Sequence, residues 1–128
     1  MNSFSMILVD SSAWITYFLD NPKAGLIASY FSKASDGILV PSAVLYEVYR
    51  CLSRTIGDEK ALFFVTQMEN EQVVPLDEDL ALYAAKLGSE HQLGMADAII
   101  YATAQTYDAE LITLDNDFRK LPGCKVFS

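Results

Sequence analysis

Apolar residues in this chain follow two rhythms. Short runs rich in Val, Ile and Leu fall at residues 6–10, 38–40, 73–75, 110–114 and 125–127. Between them, segments near 12–19, 23–35, 42–55, 58–70, 79–91 and 95–107 place apolar positions at helical spacing. A strand with one wetted face alternates apolar and polar residues, whereas an unbroken run is buried on both faces. Such runs alternating with helices call for a parallel sheet covered on each side. Asn21-Pro22, Asp36-Gly37, Gly57-Asp58, Gly94 and Pro122-Gly123 all fall between these segments, where turns belong. The expected fold is α/β, a three-layer α/β/α sandwich with a central, mainly parallel sheet, as a single domain over residues 1–128.

Composition narrows the class. At 128 residues, 52% hydrophobic and 20% charged, the chain can bury a core and is not disordered. No apolar stretch approaches the roughly 18 uncharged residues that a membrane-spanning helix needs. The start, MNSFSMILVD, has no basic segment and no signal-type cleavage site, so a cytoplasmic protein is expected, with no membrane partner. Cys51 and Cys124 lack the spacing of a zinc site or a disulfide framework, and reduced thiols are expected. The formal charge of −8 argues against general electrostatic binding of nucleic acid and suits a basic protein partner.

Four carboxylates change this picture. Asp10 ends Met6-Ile7-Leu8-Val9, and Glu47 interrupts Val44-Leu45-Tyr46 and Val48-Tyr49. Asp97 is the only charge between Met95 and Tyr107, and Asp115 closes Leu111-Ile112-Thr113-Leu114. Desolvating an unpaired carboxylate costs several kcal/mol or more, and no basic residue is spaced to partner all four. In open parallel sheets, sites form at the carboxyl ends of strands. Asp10 and Asp115 lie at such ends, Asp97 at a helix start and Glu47 about one turn into another helix. If the fold gathers them, a hard divalent cation such as Mg²⁺ or Mn²⁺ is the natural counter-ion.

Each carboxylate also has an ordinary structural explanation. Asp10 precedes Ser11-Ser12, and any of the three can cap the following helix, although one of the serines fits that role better. Glu47 flanks the stripe Val44, Val48, Cys51, Leu52 and Thr55, beside Arg50 and Arg54. It can pair with Arg50 at i,i+3, or point to the sheet edge and leave both arginines for phosphate. Asp97 opens a segment apolar almost all round, the pattern of a central helix, and a carboxylate in the first turn suits the helix dipole. Asp115 opens Asp115-Asn116-Asp117, a common turn composition. Asp117 remains open as a ligand, a supporting group or a cap, and Thr113 as a hydrogen-bond partner for a phosphate or a water on the metal. His91 is solitary and expected to be exposed.

Together, these residues form a pattern that resembles the PIN-domain nucleases, and within them the toxin ribonucleases of VapBC toxin–antitoxin modules. The resemblance rests on Ile7-Leu8-Val9-Asp10-Ser11-Ser12, on Val40-Pro41-Ser42-Ala43-Val44-Leu45-Tyr46-Glu47-Val48, and on Met95-Ala96-Asp97-Ala98-Ile99-Ile100-Tyr101-Ala102-Thr103-Ala104. It is completed by Leu111-Ile112-Thr113-Leu114-Asp115-Asn116-Asp117-Phe118. It implies a metal-dependent endoribonuclease whose Mg²⁺ or Mn²⁺ is held by Asp10, Glu47, Asp97 and Asp115. Ser11, Ser12, Thr113 and Asp117 are implied as supporting polar groups. It further implies an RNA substrate, silencing by a cognate antitoxin, and a homodimer. Arg50 and Arg54, with Lys86, Arg119 and Lys120 behind them, are the candidates for phosphate contacts. MNSFS precedes Met6, where such toxins usually start close to the first strand, so Met6 is an alternative start to Met1.

Two other acidic Mg²⁺ proteins of this layering fail on their residues. A phospho-receiver needs paired acids after the first strand, and a haloacid-dehalogenase-type phosphatase needs a second Asp where this chain has Ser12. The remaining rival is a non-catalytic PIN-like interaction module. Its support is the crowd of Trp14, Tyr17, Phe18, Tyr30, Phe31, Tyr46 and Tyr49 in the first three helices, more aromatic surface than a core obviously needs.

Overall fold

A computed structural model describes residues 6–127; the MNSFS segment, and with it the choice between Met1 and Met6, lies outside the described residues. The strands are β1 (Met6–Val9), β2 (Gly37–Pro41), β3 (Gln72–Val74), β4 (Glu110–Thr113) and β5 (Cys124–Val126). The helices are α1 (Ser11–Phe18), α2 (Ala24–Phe31), α3 (Ser42–Ile56), α4 (Asp58–Met68), α5 (Glu78–His91) and α6 (Met95–Thr106), with a 3-10 turn at Asn116–Phe118. Each element falls within a few residues of its sequence-based expectation. Among the described residues no helix is long and apolar enough to cross a membrane.

All strand pairs are parallel, in the order β3-β2-β1-β4-β5. Leu8 is paired with Leu39 on one side and Leu111 on the other, and all three are fully buried. This explains the unbroken apolar runs, since a central strand in a three-layer fold has no face left for water. The chain winds outward through β2 and β3, then crosses to the far side of β1 to form β4. Crossovers are right-handed, so this reversal sends the later helices to the opposite face and opens a crevice between the ends of β1 and β4. Asp10 and Asp115 follow those two strands.

Two helix pairs set the rim of the crevice. In α6, Ala98 through Ala104 are all buried, as expected of a central helix. Its start lies close against α5, where a Cβ added at Gly88 would sit 3.2 Å from the Cβ of Ala98. That contact places Asp97, one residue earlier, at the rim. On the other side α3 buries Val44, Val48 and Leu52, but Cys51 is only half-buried and Thr55 is exposed, so the expected stripe is narrower than its composition suggested. Gly57, at φ 92°, lets the chain turn sharply from α3 into α4.

Of the seven surplus aromatics, Trp14 is buried, and Phe18, Tyr30 and Phe31 are half-buried against the core. Trp14 stacks on Phe18 at 5.3 Å and packs on Phe31 at 5.2 Å, and Phe18 meets Phe64 at 4.6 Å, tying α1, α2 and α4 together. Trp14 is only 4% exposed, so the reading of these rings as an interface fails for it. Tyr17 and Tyr49 face outward in part, and the most open rings are Tyr46 on α3 and Phe63 on α4, each 62% exposed.

Candidate active site

Asp10 is the buried centre of the site, 4% exposed. Its Oδ1 accepts the backbone N–H of Ser11 at 2.7 Å, so Asp10 itself caps α1, in place of the expected serine. Its Oδ2 accepts from Thr113 Oγ1 at 2.7 Å and from Ser12 Oγ at 3.2 Å. The two hydroxyls are anchored in turn. Ser12 Oγ accepts the N–H of Leu114 at 3.0 Å, and Thr113 Oγ1 accepts that of Asp115 at 3.0 Å. The ends of β1 and β4 are thus joined through one carboxylate oxygen. Thr113 is fully buried, which corrects the expectation that it meets a phosphate or a water: it orients Asp10 instead.

The other acids lie within electrostatic reach of this point. Asp115 Oδ1 accepts the N–H of Asp117 at 2.9 Å, closing the turn that its composition suggested. The same turn sets the exposed Asp117 beside its neighbours, and carboxylate oxygens of Asp97, Asp115 and Asp117 lie within 4.8 Å of one another, a group that does not include Asp10 or Glu47. Asp117, one of three open possibilities in the sequence, therefore sits beside two of the four main acids. Glu47 reaches the site from α3. Its Oε1 is buried without a hydrogen-bond partner, and of the two alternatives left open the pairing with Arg50 gives way to a hydrogen bond from Arg50 Nη1 to Tyr46 Oη at 3.1 Å.

Electrostatics records this crowding. Burial pushes the Asp10 carboxyl up, against the hydrogen bonds from Thr113, Ser11 and Ser12, and the charge on Asp115 adds to the rise. Glu47 is raised by burial, opposed by the Ser11 hydroxyl and reinforced by Asp10 and Asp115. Asp97 is pushed up to about 6, first by burial and then by Asp115, Asp10, Glu47 and Asp117. Repulsion and desolvation here outweigh the favourable dipole of the α6 N-terminus. Burial also pushes the Cys124 thiol up to about 12, which keeps it protonated and unreactive at neutral pH.

Beside Glu47 lies an open groove of about 520 Å³ lined by Tyr46, Glu47, Arg50, Cys51, Arg54 and Thr55. It places Arg50 and Arg54 in one groove with Glu47. Lys86 and Lys120 are exposed but do not line it, and Arg119 holds Asn116 Oδ1 through Nε at 3.1 Å and Nη2 at 2.8 Å. His91 is exposed, as expected. The anchoring amides of Leu114 and Asp115 escape any reading of side chains, because backbone donors leave no residue-type signal.

The fold and site define a class: a parallel α/β sandwich with clustered carboxylates at the switch point of its sheet. The PIN domain model matches residues 7–123, and the chain belongs to that family. No curated protein matches the sequence significantly. Among solved structures, it is similar to a toxin–antitoxin complex from Klebsiella pneumoniae, with a TM-score of 0.77 at 22% identity, covering 94% of this chain and 96% of that one. VapBC2 from Rickettsia felis, bound to a DNA fragment from its promoter, has a TM-score of 0.75 at 15% identity, covering 95% and 97%. Mycobacterium tuberculosis VapC20, a sarcin-ricin loop cleaving toxin, has a TM-score of 0.74 at 18% identity, covering 91% and 95%. At these identities the likeness is one of fold.

Proposed function

We propose that this chain is a metal-dependent endoribonuclease that hydrolyses RNA phosphodiester bonds, acting over residues 1–128 as the cytoplasmic toxin of a toxin–antitoxin pair. The observation that carries the reading is the cluster of Asp97, Asp115 and Asp117, whose carboxylate oxygens lie within 4.8 Å of one another and which the charges of Asp10 and Glu47 reach, in a PIN fold. Membership in the PIN family and the likeness to VapBC complexes support it.

The donor set fits Mg²⁺ or Mn²⁺. All the candidate ligands are hard carboxylate oxygens, and Glu47 Oε1 is buried with its lone pairs unclaimed. Asp10, Glu47, Asp97 and Asp115 would hold the ion, with Asp117 beside them. A divalent ion bound there supplies a nucleophile from water at neutral pH and stabilises charge on the phosphoryl oxygens. The chain's own residues prepare the site. Thr113 and Ser12 fix the orientation of Asp10, and Ser11 favours the charged form of Glu47. Arg50 and Arg54 neutralise the phosphates of the incoming strand. No side chain is required as nucleophile, in keeping with a protonated Cys124 and an exposed His91.

A cognate antitoxin and a homodimer belong to this reading. The dimer is supported by apolar surface around the start of α6, where Met95 is 78% exposed and lies beside Leu76 and Leu93 in a hollow of about 390 Å³. The non-catalytic module is the weaker reading, because a scaffold that only binds has no physical need for carboxylates that repel one another. Purified protein incubated with total cellular RNA separates the two. Discrete products with Mg²⁺ or Mn²⁺, lost with EDTA and in Asp97→Asn, are the expected result; no cleavage by antitoxin-free protein with metal bound favours the module.

A further inference from the structure

We propose that Tyr46 is a stacking platform for the nucleobase beside the scissile phosphate. The proposal rests on the ribonuclease reading and adds to it a residue that positions the base next to the cut. Tyr46 immediately precedes Glu47 on α3, lines the same groove and is 62% exposed. Its ring is held without being covered. Arg50 Nη1 donates to Tyr46 Oη at 3.1 Å, while the guanidinium carbon lies 6.0 Å from the ring centroid, at the outer limit of a cation–π contact. The hydroxyl is thus tethered at the ring's edge, and the ring remains open to a flat partner.

The neighbouring residues suit the same occupant. Tyr46, Arg50 and Arg54 follow one another at i, i+4 and i+8, so they form a ridge along α3 leading away from Glu47. Two of the three arginines in the chain lie on this ridge, in a molecule of net charge −8. The groove offers two cations and an aromatic face in line, beside the carboxylate of Glu47. Aromatic rings that stack bases, next to cations that follow the backbone, are how single-stranded RNA is held. A protein segment would be recognised through buried apolar area, yet the groove lining contains no aliphatic side chain. The exposed Leu62 and Phe63 lie on α4, outside that lining.

The test uses the full chain carrying Asp97→Asn, which leaves RNA uncut, and fluorescence anisotropy in Mg²⁺. The probes are a labelled short single-stranded RNA of randomised sequence and a ribose–phosphate chain of equal length without bases. Adding Tyr46→Ala should weaken binding of the RNA at least about fivefold, the low end of base–aromatic stacking. Tyr46→Phe should stay within about twofold of the parent, because the π-face is kept. On the baseless chain Tyr46→Ala should change nothing, a result that loss of the Arg50 tether or of local structure would not give. Equal weakening on both probes, or none on RNA, overturns the platform and leaves the surface to a protein occupant. If the native chain cuts cellular RNA but Tyr46→Ala cuts it equally well, only the platform fails. If no form binds or cuts RNA, the ribonuclease reading fails first and the platform with it.

Discussion

Thr113 Oγ1 donates a 2.7 Å hydrogen bond to Asp10 Oδ2 across 103 positions of sequence, and both groups are buried. Through it β4 holds the orientation of the carboxylate that follows β1. Replacing Thr113 by Val keeps the shape and removes the donor. The expected cost is about 1–3 kcal/mol, the penalty for leaving a buried acceptor short of a partner. Cleavage should fall about 10- to 100-fold, as is usual when a group supporting a metal ligand is removed. Thr113→Ser should retain both properties. Thermal melts and RNA cleavage rates on the three proteins check this, and a Thr113→Val chain with undiminished activity would show that Asp10 needs no such support.

The pH dependence of the metal-free protein follows from Asp97, whose carboxyl is pushed up to about 6 by burial and by the neighbouring acids. A carboxyl raised on folding contributes stability that is present below its unfolded value near 4 and lost as pH rises through about 6. Asp10 and Glu47 shift in the same direction. In EDTA the melting temperature should therefore drop between pH 4 and pH 7. Asp97→Asn should reduce that slope and melt about 3 °C higher than the native chain at pH 7. A native protein more stable at pH 7 than at pH 5 in EDTA would contradict the crowded-acid description.

Metal should reverse this trend. An ion that binds only the folded state stabilises it by about 2.7 kcal/mol at a hundred times its Kd. Mn²⁺ added at pH 7 should raise the melting temperature, and less so at pH 5, where protons compete for the carboxylates. Glu47→Gln should weaken Mn²⁺ binding at least about tenfold in a calorimetric titration. Unchanged affinity would remove Glu47 from the ligand set.

Self-association is checked by light scattering on the eluting protein. Two chains per particle are expected, and Met95→Glu should give single chains by placing a charge in the exposed apolar hollow at the start of α6. Dimers that persist in Met95→Glu would move the interface elsewhere.

Much of this protein could be read along the chain. Unbroken apolar runs are what a central parallel strand requires, so β1, β2 and β4 were legible, as was α6 with its uniformly buried middle. The four spaced acids were legible because a carboxylate in an apolar run has few inexpensive explanations. Asp10 and Asp115 also show why the ordinary readings were competitive: each does serve as a local cap or turn residue, in addition to joining the site.

Other features depended on contacts that no local pattern encodes. Whether Thr113 faces a substrate or Asp10 is decided by the pairing of β1 with β4, which buries its hydroxyl. Asp117 joined Asp97 because the turn after β4 closes on Asp115, and Arg50 turned to Tyr46 instead of Glu47. The aromatic residues were the least readable, since composition counts rings and only packing shows that Trp14 is covered while Tyr46 is open. By itself the sequence determined the elements and singled out candidate acids, through periodicity and the cost of burying charge. The tertiary structure alone decided which polar groups satisfy one another and which are left to face a ligand, because hydrogen bonds and burial depend on distances between residues far apart in the chain.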